Sequence, residues 1–207
     1  MLKGVKNIIF DLGGVILNID YQLTSIAFFN AGFQGFDTFY SQAKQSSLFD
    51  DFETGEISSE EFCAEIRRIS GLSNEKIIEC WNSMLLDLPI HRIDFLKSLK
   101  GRYRLFLLSN TNEIHLNSLR ESIVEKYGSD ILSDIFEVVY YSHELGLRKP
   151  NAGCFNAVLE ANGLLAQKTL FIDDSIQHVN GAATAGVRSV LLQSNQDITS
   201  LFPDTIL

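Results

Sequence analysis

Short apolar runs alternate with segments of helical periodicity along much of the chain. Five of these runs predict buried strands, at residues 5–10, 103–108, 135–141, 169–172 and 187–192. Apolar residues spaced three and four apart predict the helices between the later strands, at residues 91–99, 112–127, 151–162 and 175–185. Strands and helices that alternate in this way form right-handed βαβ units. The pattern therefore indicates an α/β fold, a three-layer Rossmann-like parallel sheet with helices on both faces.

The stretch between the first two predicted strands differs, because none of its apolar runs resembles a strand. Its apolar residues fall at helical spacing, beginning near Leu23 and Ile26 and continuing to Trp81. Capping residues, glycines and a proline divide it into four predicted helices, which end at Gly32, cover residues 36–43, run from Ser58 to Gly71, and run from Ser73 to Pro89. We therefore predict a small helical cap at residues 20–87, inserted after the first strand into a core made of residues 1–19 and 88–207.

Composition places the chain among ordinary globular proteins. Its 207 residues suit one large domain or one core domain with an insert, and they are 45% apolar and 21% charged. A net charge of −9 disfavours general affinity for nucleic acid or an anionic membrane surface, since both attract basic proteins. No run approaches the ~20 apolar residues of a membrane span. We therefore expect neither nucleic acid nor a membrane among the partners.

The N-terminus and the cysteines indicate the compartment. A glycine and a strand follow the first three residues, where a secretory leader would carry a long apolar segment. Cys63, Cys80 and Cys154 are odd in number and far apart, without zinc-binding spacing. Free buried thiols in a reducing compartment are the simplest interpretation. We therefore expect a cytoplasmic protein, and the sequence does not predict its oligomeric state.

Polar side chains end three of the predicted strands. Asp11 ends the first strand, and the two glycines that follow Leu12 allow the backbone to approach a ligand closely. Ser109 ends the second strand, and the pair Asp173-Asp174 ends the fourth. Lys149 lies in the loop just before the helix that leads to the fourth strand. Because ligands of parallel sheets bind at the carboxyl ends of the strands, we expect these residues to converge.

The residue types at this edge favour phosphate chemistry. Three crowded carboxylates repel one another, so at neutral pH they need a cation or raised pKa values. Oxygen ligands suit Mg²⁺ where phosphate is the other partner, and the carbonyl of Gly13 offers a further ligand. Lys149 and Ser109 supply the charge and the hydroxyl donor that bind phosphate. Asp11 could then attack phosphorus as the nucleophile and give an aspartyl-phosphate that water hydrolyses.

Each of these residues also has an ordinary structural interpretation. Aspartates stabilise turns, serines and aspartates cap helices, and most lysines are exposed. These interpretations apply to Asp11 as a turn residue, to Ser109-Asn110 and Asp173-Asp174 as helix caps, and to Lys149 as a loop charge. The histidines share no common spacing, which favours surface or packing roles for His91, His115, His143 and His178.

Four motifs in this order resemble the haloacid dehalogenase superfamily of phosphatases. They are Phe10-Asp11-Leu12-Gly13-Gly14-Val15, Leu108-Ser109-Asn110, Arg148-Lys149-Pro150 and Phe171-Ile172-Asp173-Asp174-Ser175, and together they span nearly the whole chain. The predicted helical insert resembles the cap of that family. The Asp-Leu-Gly of the first motif is similar to bacterial phosphatases that act on sugar phosphates such as α-D-glucose 1-phosphate.

The resemblance implies an Mg²⁺-dependent phosphatase whose partner is a small-molecule phosphate ester. It implies that Asp11 and Lys149 are catalytic and that Ser109, Asn110 and Lys149 bind the substrate. The implied metal ligands are Asp11, Gly13, Asp173 and Asp174. Of the last two we favour Asp174 as the inner ligand, with Asp173 bound directly or through water.

One position departs from the family pattern. Many of these phosphatases carry a second Asp two residues after the nucleophile, and it protonates the leaving group; this chain has Gly13 there. General acid catalysis typically contributes ~10²–10⁴-fold. Another group could act as the acid, with Asp20, Glu144 or a cap residue as candidates, or water could do so. A leaving group such as the anomeric hydroxyl of a sugar 1-phosphate would need less help.

Two other functions remain open on the same residues. A hydrolytic haloacid dehalogenase would also use Asp11 as its nucleophile but needs no metal, so the pair Asp173-Asp174 argues against it. A phosphate-binding protein without turnover is the second alternative, and its main support is the missing acid at Gly13. Hydrolysis of a generic phosphate ester that depends on a metal would separate all three.

Overall fold

The computed structural model describes residues 2–45 and 47–202, with the side chains of residues 42–45 left aside. At its centre is a parallel sheet of five strands in the order β3-β2-β1-β4-β5. The strands are β1 (Asn7–Phe10), β2 (Arg104–Ser109), β3 (Val138–Tyr141), β4 (Thr169–Asp173) and β5 (Arg188–Leu191). Met1 and residues 203–207 of the predicted core lie outside the described residues, as does Ser46 of the predicted cap. The predicted α/β class is confirmed.

In the described residues, helices of the core cover both faces of this sheet, and further helices lie between β1 and β2. They are α1 (Tyr21–Asn30), α2 (Phe36–Gln45), α3 (Leu48–Glu53), α4 (Ser59–Ser70), α5 (Asn74–Asn82), α6 (Ile90–Leu99), α7 (Glu113–Tyr127), α8 (Ile131–Ile135), α9 (Ser142–Leu145), α10 (Ala152–Ala161) and α11 (Ile176–Thr184). Ile8 and Phe10 pack with α6, α7 and α8 on one face, and Ile9 packs with α10 and α11 on the other. Burial of both faces explains why β1 is apolar at every position instead of alternating.

Between β1 and β2, helices α1 to α5 surround their own apolar cluster. Its large members are Phe28, Phe33, Phe36, Phe39, Phe49, Phe52, Phe62 and Trp81. Ser58 begins α4 with a capping box, in which its Oγ accepts from the Glu61 backbone N–H at 3.2 Å and Glu61 accepts from the Ser58 backbone N–H at 2.8 Å. We call residues 20–87 the cap segment. It contains no strand in residues 20–45 and 47–87, and its division from the core at these boundaries stays a prediction.

Three short helices differ from the sequence-based expectations. Helix α3 and helix α8 were not predicted, and α9 begins what we expected to be a loop. Helix α8, capped by Asp130, uses the residues just before the third strand, so that strand begins at Val138 and not at residue 135. Helix α5 ends at Asn82, because Leu85 pairs with Ile19 as an isolated bridge and does not continue the helix. Helices of four to six residues are too short to show a clear period of 3.6.

The cysteines agree with the expectation of free buried thiols. All three cysteines are free and buried. A 3₁₀ helix covers Ile198–Leu201 near the end of the described residues. No helix among the described residues is long and apolar enough to cross a membrane.

Candidate functional site

The parallel register brings the predicted strand ends together. Phe10 lies opposite Leu107 of β2 and Ile172 of β4, so the residues that follow meet at one edge. The backbone N–H of Asp11 donates to the carbonyl of Ile172 at 2.9 Å, which fixes the start of the turn. Asp11, Ser109 and Asp173 are all buried at this edge.

Lys149 joins two of these carboxylates. Its side chain is fully buried, and its Nζ lies 2.7 Å from Oδ1 of Asp11 and 2.8 Å from Oδ2 of Asp173. The loop that carries Lys149 is held by Asn110, whose Nδ2 donates to the Lys149 carbonyl and whose Oδ1 accepts from the Lys149 N–H, both at 2.9 Å. The Asn110 side chain therefore positions Lys149, and its contact with a substrate stays a prediction.

Asp173 has hydrogen-bond partners on both of its oxygens. Oδ1 accepts from the Ser175 backbone N–H at 2.7 Å, and Nδ1 of His178 lies 3.0 Å from each oxygen. Burial alone would raise the pKa of Asp173, but Lys149 and His178 together hold it below its usual range. We expected a surface or packing role for His178. Its place in the first turn of α11, just after the Asp pair, is the signal that could have indicated this contact.

Asp174 lies against the backbone of the glycine turn. A side chain at Gly14 would collide with Oδ2 of Asp174, and Gly14 has a φ of +74°, which disfavours other residues. Both observations explain the glycine at this position. Burial and repulsion from Asp173 raise the pKa of Asp174 above its usual range. A nearby cation would relieve this cost, because it stabilises the ionised form.

The donor set at this edge fits a hard divalent cation. Burial raises the pKa of Asp11 to about 8, with Lys149 opposing the rise and Asp173 adding to it. One ligand atom from each of Asp11, Asp173 and His178 lies within 4.8 Å of the other two. Both oxygens of Asp173 already have hydrogen-bond partners. Asp174 therefore supplies the second carboxylate, after that of Asp11, that can bind a cation. Carboxylate and carbonyl oxygens are the ligands that Mg²⁺ prefers.

A cavity of about 660 Å³ opens above these residues, between the strand ends and the cap segment. Of the predicted site residues, Asp11, Gly13, Ser109, Asn110 and Asp174 line it, whereas Lys149 and Asp173 lie beneath its surface. The cap segment contributes Tyr21, Tyr40, Phe49, Asp50, Glu53, Met84 and Leu85. The volume suits a small molecule.

The two named candidates for the missing acid lie outside this lining. Asp20 caps α1, where it accepts from the Gln22 N–H at 2.9 Å. Glu144 approaches Arg120 at 3.8 Å in a separate depression. The carboxylates that the cap segment places in the cavity are Asp50 and Glu53. Neither was singled out from the sequence, because α3 itself was not predicted.

His115 also lines the cavity, at the contact between core and cap segment. Its ring stacks on Trp81 with the centroids 5.2 Å apart, and its Nδ1 lies 2.9 Å from Oδ1 of Asn82. Burial lowers the pKa of His115 to about 3. The ring is therefore neutral at physiological pH, and it packs as we expected while one edge faces the cavity.

Solved structures with this fold include HAD family enzymes. A HAD family enzyme from Bacteroides thetaiotaomicron is 34% identical, with a TM-score of 0.89 over 96% of this chain and 98% of that one. The same enzyme has been crystallised with magnesium and with magnesium plus inorganic phosphate, the latter both as wild type and as an aspartate-to-alanine mutant. L-2-haloacid dehalogenase from Xanthobacter autotrophicus, 18% identical over 91% of this chain and 77% of that one with a TM-score of 0.62, shares the fold alone.

Sequence comparison gives a similar result. The chain is 27% identical to a D-ribitol-5-phosphate phosphatase from Bacteroides thetaiotaomicron over 93% of this chain and 94% of the relative. The family model for haloacid dehalogenase-like hydrolases matches residues 5–186. The predicted enzyme class, a hydrolase of phosphate esters, is confirmed by these relatives. With the four motifs in place at one sheet edge and the match covering most of its length, this chain belongs to the haloacid dehalogenase-like hydrolase family.

Proposed function

We propose that this protein is an Mg²⁺-dependent phosphatase that hydrolyses a small phosphate monoester through an aspartyl-phosphate on Asp11. One observation carries the proposal: the buried ammonium of Lys149 lies 2.7 Å from Asp11 and 2.8 Å from Asp173 at the base of the cavity. The two carboxylates offset the cost of burying this charge. Here it stands beside the nucleophile, where negative charge of a phosphate would accumulate.

Four side chains of the site have separate roles in the proposed reaction. An oxygen of Asp11 forms a bond to phosphorus while the bond from phosphorus to the leaving oxygen breaks. Water then attacks phosphorus, and the carboxylate of Asp11 is released. Lys149 and the hydroxyl of Ser109 would hold the phosphate oxygens, with Asn110 fixing the Lys149 loop. When bound, Mg²⁺ would neutralise the phosphate and the carboxylates.

Asp11, the Gly13 carbonyl and Asp174 would hold the cation, and Asp173 would contact it at most through water. Support comes from the two oxygens of Asp173, which already contact Lys149, Ser175 and His178. Asp174 is placed at the same turn by its close approach to Gly14. The ligand assignment is therefore the one that leaves every other hydrogen bond of the site intact.

We propose a sugar phosphate or sugar-alcohol phosphate as the substrate, with α-D-glucose 1-phosphate as one candidate. The D-ribitol-5-phosphate phosphatase relative supports this class, as does a cavity of about 660 Å³. A sugar 1-phosphate also suits the missing acid at Gly13, because an anomeric hydroxyl is a better leaving group than an ordinary alcohol. The three buried free thiols support our further proposal of a cytoplasmic location.

The test is phosphate release from a panel of sugar phosphates, sugar-alcohol phosphates and phenyl phosphate. Wild type, Asp11→Asn and Asp94→Asn are each assayed with Mg²⁺ and with chelator. Asp94→Asn is the matched control, because Asp94 is exposed on α6 and lies outside the cavity. We expect release only with Mg²⁺ and only where Asp11 is intact, with a loss of at least about 10³-fold in Asp11→Asn, as for other lost nucleophiles.

Two other results would replace the proposal. Halide release from 2-chloropropionate that persists in chelator would indicate a dehalogenase that uses Asp11 as its nucleophile. If no ester of the panel releases phosphate while phosphate still binds, the result would indicate a binding protein without turnover. The missing acid at Gly13 would then explain the absence of hydrolysis.

A further inference from the structure

Two charged side chains meet at the cap end of the cavity. Arg148 comes from the core loop, one residue before Lys149, and Glu53 is the last residue of α3 in the cap segment. Nη2 of Arg148 lies 2.9 Å from Oε2 of Glu53, and the Arg148 guanidinium also contacts Asp50. All three side chains line the cavity that contains Asp11. The loop that places the lysine therefore also reaches the cap segment.

This pair has polar atoms without hydrogen bonds. Oε2 of Glu53 and Nε of Arg148 are both shielded from solvent and have no hydrogen-bond partner among the described residues, although Nη2 of Arg148 lies 2.9 Å from Oε2. Because these two atoms are shielded, a ligand in the cavity would have to use Oε1 of Glu53. No contact engages Oε1 of Glu53 in the part of the chain whose side chains are described. The two side chains are still 28% and 30% exposed, since they face the cavity. Burial of such groups without hydrogen bonds is unfavourable.

The chemistry of the pair indicates what would satisfy it. A hydroxyl can donate to a carboxylate and accept from a guanidinium, so one or two adjacent hydroxyls fit both groups. Asp50 and Glu53 place two carboxylates beside the single guanidinium of Arg148, which leaves this wall negative and disfavours an anionic group there. A ligand that enters with its phosphate at Lys149 would bring its leaving group to this wall.

We propose that Glu53, held by Arg148, is a specificity-determining residue that accepts a hydrogen bond from a hydroxyl of the leaving group. The enzyme would then select esters of neutral polyhydroxylated alcohols over esters of alkyl alcohols. This inference rests on the proposed phosphatase function and deepens it.

A different role for Glu53 is protonation of the leaving oxygen. Burial raises the pKa of Glu53 to about 7, against the attraction of Lys149, which would suit a proton donor. The guanidinium of Arg148 at 2.9 Å favours the ionised carboxylate instead. Geometry therefore favours acceptance of a hydrogen bond, and the experiment separates the two roles.

The experiment compares wild type, Glu53→Gln and Glu56→Gln on D-ribitol 5-phosphate, pentyl phosphate and phenyl phosphate. The first two esters have the same carbon count and differ in hydroxyls. Glu56→Gln is the matched control, because Glu56 is exposed and lies outside the cavity. For Glu53→Gln we expect kcat/KM on ribitol 5-phosphate to fall about 10- to 100-fold, as for loss of a charge-assisted hydrogen bond, and on pentyl phosphate to change by less than about threefold.

Equal loss on ribitol 5-phosphate and pentyl phosphate, with phenyl phosphate spared, would overturn the proposal and make Glu53 the general acid. Equal loss on all three would make its role structural, and the thermal midpoint of Glu53→Gln would then fall too. No loss, or a wild type that prefers pentyl phosphate, also overturns it. Each of these results keeps the phosphatase itself. If wild type hydrolyses none of the three esters, the phosphatase function and this inference are both wrong.

Discussion

The two ends of the cavity are built differently. At the sheet end, Lys149 and Asp173 are fully buried, and each has several short contacts that hold it in place. At the cap end, Oε2 of Glu53 and Nε of Arg148 are covered but lack hydrogen bonds. The sheet end is therefore complete in the free protein, whereas the cap end presents the partly exposed side chains of Glu53 and Arg148 to a ligand in the cavity.

This difference separates chemistry from recognition. Groups that act on a phosphate must be in position before the reaction, because reorganising them in the transition state would raise the barrier. Groups that recognise the leaving group gain specificity when only the correct ligand satisfies them, since a wrong ligand leaves them buried and unpaired. Changes at the sheet end should then affect every substrate, and changes at the cap end should affect substrates unequally.

Among variants that keep Asp11, the largest effect should follow Gly14→Ala at the sheet end. The added methyl would collide with Oδ2 of Asp174, so we expect the cation site to be displaced and phosphate release to fall at least about 100-fold on every ester. Gly71→Ala is the matched control: Gly71 has nearly the same positive φ, +71° against +74°, but nothing within 4 Å of a new Cβ. Both variants bear backbone strain of about 1–2 kcal/mol.

Steady-state assays with increasing Mg²⁺, together with urea unfolding of both variants, make this comparison. A Gly14→Ala enzyme as active as Gly71→Ala would show that Asp174 has no role in the site. A loss on some substrates and not on others would show that changes at the sheet end do not affect every substrate, and the distinction between the two ends would be wrong.

A smaller effect, and a gain, is expected at Gly13. A Cβ at Gly13 would lie 3.0 Å from Cδ1 of Ile19, the tip of a side chain that can move aside. We expect Gly13→Asp to supply the missing acid and to raise the rate on pentyl phosphate about tenfold, near the lower end of what general acids contribute. The rate on α-D-glucose 1-phosphate should change little, because its leaving group needs less help.

Gly13→Asn is the control for this gain, because it has the size of Asp without an acidic proton. Rates of both variants are measured on the two esters at saturating Mg²⁺. If Asn gives the same gain as Asp, or if Asp gives none, the explanation of Gly13 through the leaving group is wrong.

The same difference decides how much could be predicted from the sequence. Asp11, Ser109 and Asp173 follow apolar runs, and the rule that parallel strands share one ligand-binding edge brings them together without any side-chain detail. Glu53 lies on a helix of six residues, and its neighbour Arg148 comes from a loop almost a hundred positions later. No local period links these two residues. Their meeting depends on how the aromatic cluster of the cap segment packs, which is set by tertiary contacts.

His178 and helix α8 are two further features that could not be predicted from the sequence pattern. The contact of His178 with Asp173 depends on the direction in which α11 leaves β4, and a sequence pattern does not give that direction. The predicted third strand includes Ile135, the last residue of α8, because a short apolar run is ambiguous between helix and strand. The N-cap Asp130 decides in favour of the helix.

The smallest effect we predict is a pH dependence at His115, where the two ends of the cavity meet. The pKa of His115 is lowered to about 3 from 6.5 by burial, so between these values the unfolded chain binds a proton that the folded chain excludes. The free energy of unfolding should therefore fall as the pH falls, by about 1 kcal/mol between pH 6 and pH 5 from this residue. Urea unfolding at both pH values should show that His115→Gln lacks this part of the loss. Because His115 stacks on Trp81 of the cap segment, an unchanged loss in the variant would mean that the ring is accessible to water, and that the contact between core and cap segment opens readily in the folded protein.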